Sequence, residues 1–135
     1  MCICASSPDC LAPDLHLSHN RSYVSFAGPK RFHPVPAPIS ALPPVDAVLL
    51  SHAHYDHLCK SSIIELSRLG VPVITSLGVG THLEDWGIPP EKITELDWWE
   101  QIEIKNGVVV SAAPSQHFSG RSVGDRNKTA WSSLH

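Results

Sequence analysis

Three histidines and an aspartate lie within six residues of one another, and these are the residue types best suited to chemistry in this chain: His52, His54, Asp56 and His57. Imidazole nitrogens and carboxylate oxygens form a ligand set that suits zinc first, and manganese, iron or cobalt less well. The alternative is a histidine-rich surface loop, because the chain carries 9 histidines in 135 residues. The ordered spacing favours a metal site.

The chain leading into this motif is apolar and is expected to be a strand that ends in a loop. In an extended chain, residues i, i+2 and i+4 point to one side, so His52, His54 and Asp56 can converge. His57 follows at an odd offset. It can bind a second metal, about 3.5–4 Å from the first, only if the chain turns at this point. The helical zinc motif is excluded, because Ala53 stands where that motif has a glutamate.

Length and composition predict a soluble, single-domain protein. Hydrophobic residues make up 42% of the 135 residues, and no apolar stretch approaches the roughly 20 residues of a membrane span. A net charge of −3 argues against a general nucleic-acid binder. The four cysteines lack the paired spacing of a structural zinc site, and no secretory signal is visible. We therefore expect a cytoplasmic protein, with peripheral contact to a membrane surface as a further option.

The pattern along the chain predicts an α/β fold with a mixed sheet and flanking helices. Residues 1–28 lack periodicity and are expected to be irregular, and a proline-rich arm follows up to residue 44. The expected elements are a strand at 46–50, a helix at about 61–69, a strand at 71–75, a short helix ending at Gly87, strands around 95–96 and 102–104, and a hairpin turn into 108–113. Ser62 and Thr81 each have capping-box spacing to a glutamate and are expected to begin the two helices.

A further histidine, His117, stands where the last predicted strand ends, as His52 does after the first. It is therefore a candidate for a distant ligand of the same metal. One isolated histidine is weak evidence, so a ligand and an ordinary surface residue remain equally good interpretations from the residues alone.

Several blocks of sequence, in order, resemble a known family. The His-x-His-x-Asp-His motif resembles the metallo-β-lactamase superfamily of metal hydrolases, and further blocks are similar to its N-acyl-phosphatidylethanolamine phospholipase D branch. These blocks lie at residues 25–32, 95–99, 116–121 and 125–131. The resemblance covers about residues 22–133.

The resemblance implies an αββα sandwich, of which only about half is encoded: an irregular segment at 1–28 and a partial metallo-β-lactamase-like domain at 29–135. It implies that His52, His54 and His117 hold a first zinc, and that Asp56 and His57 contribute to a second metal position and to catalysis. The family's bridging aspartate, in a Gly-Asp-Thr-Gly type segment, and its last histidine have no counterpart here. We therefore expect one tightly bound zinc and an incomplete second site.

The activity implied is zinc-dependent hydrolysis of a phosphodiester, with a phospholipid or a small phosphodiester as substrate. Three cations are candidates for holding the phosphate, with a solvent-facing role as the equal alternative: Arg121, Arg126 and Lys128. Two other functions stay open. One is a truncated, catalytically silent metal-binding fragment, and the other is a lactonase or thioesterase that uses the same metal chemistry.

Half of a sandwich also leaves an apolar sheet face without a partner. We expect residues 108–110 or 48–50 to be exposed and to favour a homo-oligomer that covers them. Trp98 and Trp99 have two interpretations, namely core packing beside the hairpin, which is preferred, and a lipid-binding surface.

Overall fold

The computed structural model describes residues 2–4, 38–54, 56–105, 107–122 and 124–135, with the backbone alone at 2–4. Two helices and seven strands form in the described residues, joined by 3₁₀ turns at Ile39–Ala41 and Pro90–Lys92. In chain order the helices and strands are β1 (Cys2–Cys4), β2 (Ala47–Leu50), α1 (Lys60–Arg68), β3 (Val73–Ser76), α2 (Gly80–Asp85), β4 (Ile93–Leu96), β5 (Gln101–Lys105), β6 (Val108–Ala113) and β7 (Ser133–Leu134).

The strands form two sheets, and together with the helices they confirm the predicted α/β class. The first sheet has the order β1-β2-β3-β4, in which β2, β3 and β4 run parallel and β1 is antiparallel to β2. The second sheet, β5-β6-β7, is antiparallel. β2 and β3 are buried at every residue, as expected of parallel strands covered on both faces.

Two apolar cores lie on opposite faces of the first sheet. Because side chains alternate along a strand, Val48 and Leu50 of β2 pack among the helices, while Leu49 faces the second sheet. The layers are therefore helix, sheet and sheet, consistent with a partial metallo-β-lactamase fold. Exposure of residues 48–50 was a wrong expectation, because both faces of β2 are covered within this chain.

The second sheet agrees in part with the expectation of an exposed apolar face. Val108 and Val109 are 51% and 47% exposed, whereas Val110 is buried between the two sheets. Val109 lies opposite Glu103 in the sheet. The outer face of this hairpin is thus partly apolar and partly charged.

Both capping-box predictions were wrong, although the helices themselves form close to the predicted positions. Ser62 is buried inside α1, whose preceding residue Cys59 makes no side-chain cap hydrogen bond. α2 begins at Gly80, where the backbone N–H donates to Glu95 Oε1 at 2.6 Å. A Cβ at Gly80 would come within 2.7 Å of that oxygen, so the glycine leaves room for this close approach. A carboxylate on β4 thus satisfies the start of α2 in place of a local cap.

The N-terminal segment departs from expectation where it is described. Cys2–Cys4 form β1, paired with Ala47–Leu49, although residues 1–28 were expected to be irregular. The rest of that segment and the proline arm up to residue 37 lie outside the described residues. Among the helices of the described part of the chain, none is long and apolar enough to cross a membrane.

Candidate metal centre

Three histidine side chains converge at the end of β2. His52 and His54 follow β2 directly, and the loop after β6 brings in His117. His117 Nε2 lies 3.0 Å from His52 Nε2 and 3.2 Å from His54 Nδ1. One ligand atom from each residue lies within 4.8 Å of the other two.

The spacing of these nitrogens fits a single metal ion. Zinc–nitrogen bonds of 2.0–2.1 Å in a tetrahedron place two ligand nitrogens about 3.3–3.4 Å apart. The closest pairs of ring nitrogens here are 3.0 and 3.2 Å apart. Three protein ligands leave the fourth tetrahedral position open, as catalytic zinc sites require, and the exposed His117 and half-buried His54 leave the group accessible from solvent.

Two of the three histidines, His52 and His54, are held in the uncharged form that binds metals. His52 is only 5% exposed, and this burial, together with the charges of His57, His117 and His54, lowers its pKa from 6.5 to about 3. Partial burial, and then the charge of His117, lowers the pKa of His54 as well. Both rings are therefore neutral at physiological pH, so a metal does not have to displace protons from them.

A serine that precedes the motif orients the most buried ring. Ser51 Oγ lies 2.8 Å from His52 Nδ1. The peptide carbonyl of Ser51 in turn accepts hydrogen bonds from Ser76 Oγ at 2.7 Å and from the Ser132 backbone N–H at 2.9 Å. These bonds tie the start of the histidine motif to β3 and to the residue before β7, which fixes where His52 stands.

The chain turns after His54, as the odd offset of His57 requires. The backbone N–H groups of His57 and Leu58 both donate to His54 O, at 3.0 and 2.7 Å. Asp56 Oδ2 lies 3.6 Å from His57 Nε2, and the ring centroids of His57 and His52 are 4.5 Å apart. Within the described ranges, neither Asp56 nor His57 joins the group of three converging nitrogens. Their role at a second metal position remains a prediction.

An aromatic ring borders two of the three histidines, and a cation lies against that ring. The ring centroid of Phe118 lies 4.6 Å from that of His54 and 5.2 Å from that of His117. The guanidinium carbon of Arg126 stands 5.1 Å from the Phe118 centroid. Of the three cations proposed from the sequence, Arg126 contacts this aromatic ring. Arg121 instead bonds to the backbone carbonyls of Ala53 and Leu58, and Lys128 is exposed beside a cavity of about 200 Å³.

The tryptophans are not core residues, which corrects the preferred interpretation of them. Trp98 and Trp99 are 40% and 75% exposed. Trp98 Nε1 donates to Trp131 O at 2.8 Å, and Trp131 Nε1 donates to Ser115 O at 2.9 Å. This chain of hydrogen bonds supports the segment that leads to His117.

Sequence reasoning missed Ser51 and Phe118. Each is the sequence neighbour of a proposed ligand, Ser51 of His52 and Phe118 of His117. That adjacency was the one feature of the sequence that could have indicated a role at the site. Which way their side chains point depends on the turn of each loop, and a residue pattern does not reveal it.

Residues 9–135 match the beta-lactamase superfamily domain. The chain belongs to the metallo-β-lactamase superfamily. Members of this superfamily bind metal ions, and the three converging histidines all lie within the matched region. The expected family resemblance is thus confirmed.

Relatives of this superfamily member include two phospholipases D. An uncharacterized protein of Mycobacterium tuberculosis is 46% identical over 107 residues, which is 78% of this chain and 28% of that protein. The N-acyl-phosphatidylethanolamine-hydrolyzing phospholipase D 1 of Caenorhabditis elegans is 35% identical over 119 residues, covering 82% of this chain and 33% of that protein. The mitochondrial N-acyl-phosphatidylethanolamine-hydrolyzing phospholipase D of Saccharomyces cerevisiae is 37% identical over 111 residues, covering 79% and 23%. The chain thus spans between 23% and 33% of the length of these relatives.

Proposed function

We propose that this chain is a zinc-dependent hydrolase of phosphodiesters, of the N-acyl-phosphatidylethanolamine phospholipase D type. The observation that carries the proposal is the convergence of three histidine nitrogens at metal-ligand spacing. The identity of 35% and 37% to two enzymes named for hydrolysing N-acyl-phosphatidylethanolamine supports a phospholipid as the substrate class.

His52, His54 and His117 would hold the ion, and their all-nitrogen donor set favours zinc over manganese or magnesium. A zinc ion held there supplies a Lewis acid that lowers the pKa of a coordinated water to about 7. The three rings converge in the loop that follows β2, and His117 is exposed. A substrate therefore has access to the metal position. Ser51 keeps His52 oriented with Nε2 towards His117.

The remaining residues of the site handle protons and the substrate's charge. Asp56 is exposed at the turn and adjoins His57, so we assign this pair to proton transfer and to a weaker second metal position. Arg126 would hold the phosphate, because its guanidinium is anchored over Phe118 beside the ligand rings and offers a planar pair of donors.

The test is hydrolysis of a chromogenic phosphodiester by the zinc-loaded chain. We expect the wild type to release the chromophore, and a His52→Ala/His54→Ala double variant to lose both activity and zinc. His135→Ala is the matched control, because it removes an exposed imidazole outside the site and should leave both unchanged.

Two results would replace the proposal. Zinc bound without turnover of the diester would identify the chain as a silent metal-binding polypeptide. Turnover of a chromogenic lactone or thioester without turnover of the diester would assign it to a different class of metal hydrolase.

A further inference from the structure

The side chain of Arg121 bridges two ends of the loop that carries most of the histidine motif. We call residues 53–58 the motif loop. Arg121 Nη1 donates to Ala53 O at 2.8 Å and to Leu58 O at 2.9 Å. Ala53 and Leu58 are themselves buried, so these carbonyls depend on a protein donor where solvent has little access.

These two bonds complete a closed turn. Within the motif loop, His54 O already accepts the N–H groups of His57 and Leu58. Arg121 adds a link from the residue before His54 to the residue after His57. Its single nitrogen thereby fixes the distance between the two ends of the turn and, with it, the direction in which His54 and Asp56 leave the backbone.

Two further contacts hold Arg121 in place, one at its side chain and one at its backbone. Its guanidinium carbon stands 5.0 Å from the ring centroid of Trp86. Its own backbone N–H donates to both carboxylate oxygens of Asp125, at 3.0 and 3.1 Å, and the N–H of Ser122 donates to Asp125 Oδ1 at 2.8 Å. Although its slight burial acts in the opposite direction, these backbone hydrogen bonds lower the pKa of Asp125, so the carboxylate stays ionised near neutrality.

We propose that Arg121 is a positioning residue that pre-organises the motif loop for metal binding, and that it is not a phosphate-binding group. The effect of Arg121 on metal affinity rests on the proposed function. Its effect on the order of the motif loop does not, because that effect is already present in the metal-free chain. A guanidinium already engaged with two carbonyls and a tryptophan ring has little freedom to follow a substrate.

The first arm of the test is amide hydrogen exchange in the metal-free chain. In Arg121→Ala, the amides of His57 and Leu58 should exchange about 10- to 100-fold faster than in the wild type, as expected when charge-assisted bonds to buried acceptors are lost. Amides of β3 should keep their wild-type rates, which separates a local effect on the loop from a loss of overall stability. Arg68→Ala is the control, because it removes the same side chain from the exposed end of α1.

The second arm is zinc affinity, measured by competition with a chelator. Arg121→Ala should bind zinc about 10- to 100-fold more weakly, the usual consequence of removing a group that orients metal ligands. Arg121→Lys should fall between Arg121→Ala and the wild type, because lysine keeps the charge but is shorter and lacks the planar group that lies on Trp86. If Arg121→Ala does not fold, Arg121→Lys decides both arms.

Wild-type exchange rates at His57 and Leu58 in Arg121→Ala would overturn the proposal, and so would equal acceleration in β3. Zinc affinity within twofold of the wild type in both variants would overturn its metal-binding part. A wild-type chain that binds no zinc refutes the proposed function instead, and the exchange arm then still decides the role of Arg121.

Discussion

Replacing Ser51 with alanine tests whether the hydrogen bond to His52 prepares the ring for metal binding. The bond joins Ser51 Oγ to His52 Nδ1 at 2.8 Å and leaves Nε2 directed at His117. A neutral hydrogen bond contributes about 0.5–1.5 kcal/mol, and because His52 is almost fully buried, water does not replace the lost partner. We therefore expect the upper end of this range, about 1.4 kcal/mol, which is a tenfold loss of zinc affinity.

The assay is competition for zinc against a chromogenic chelator at neutral pH. Ser51→Thr keeps a hydroxyl at the same carbon and should retain nearly wild-type affinity, whereas Ser51→Ala should not. Ser40→Ala, at an exposed position of the 3₁₀ turn Ile39–Ala41, controls for removal of a serine elsewhere. Affinity within twofold of the wild type in Ser51→Ala would refute the reasoning, because His52 would then be oriented without this bond.

Further predictions concern stability, pH and assembly. Leu83→Ala, on the buried face of α2, should lower the free energy of unfolding by about 2–5 kcal/mol in urea titrations. Leu69→Ala, at a residue that is 64% exposed, should change it by less than about 0.5 kcal/mol. Acidification should destabilise the metal-free chain as the pH falls from 6.5 towards about 3. Burial lowers the pKa of His52 in the folded state, so the unfolded chain takes up the proton first. His52→Asn should flatten this pH dependence of urea unfolding, and an unchanged slope would contradict it. Sedimentation should show a homo-oligomer that a Val108→Ser/Val109→Ser variant weakens, and a monodisperse wild-type monomer would count against that interface.

The parts of the fold that depend on local pattern were predictable. The apolar run before the histidines forms β2, the helix expected at about 61–69 is observed at Lys60–Arg68, and the hairpin leads into Val108–Ala113 as expected. The spacing of His52 and His54 also indicated that their side chains would converge. His117 was a weak candidate from its residue type alone, and the family resemblance raised it to a proposed ligand.

Contacts between distant parts of the chain were beyond the sequence pattern. The start of α2 is satisfied by Glu95, 15 residues from Gly80, so a local capping box was not needed. Arg121 finds its two carbonyls 68 and 63 residues away, and a cationic side chain in a loop gives no sign of such partners. Trp99 is exposed and lies in the tight turn between β4 and β5 with a φ of 76°. An expectation of core packing that rests on residue type does not take such a turn into account.

The most direct test of the central claim is the zinc content of the purified chain, determined by elemental analysis after removal of loosely bound metal. We predict one zinc per chain, held by His52, His54 and His117, and none in the His52→Ala/His54→Ala variant. Two tightly held zincs per chain would show that Asp56 and His57 complete a second site. A wild-type chain without zinc would contradict the metal centre itself.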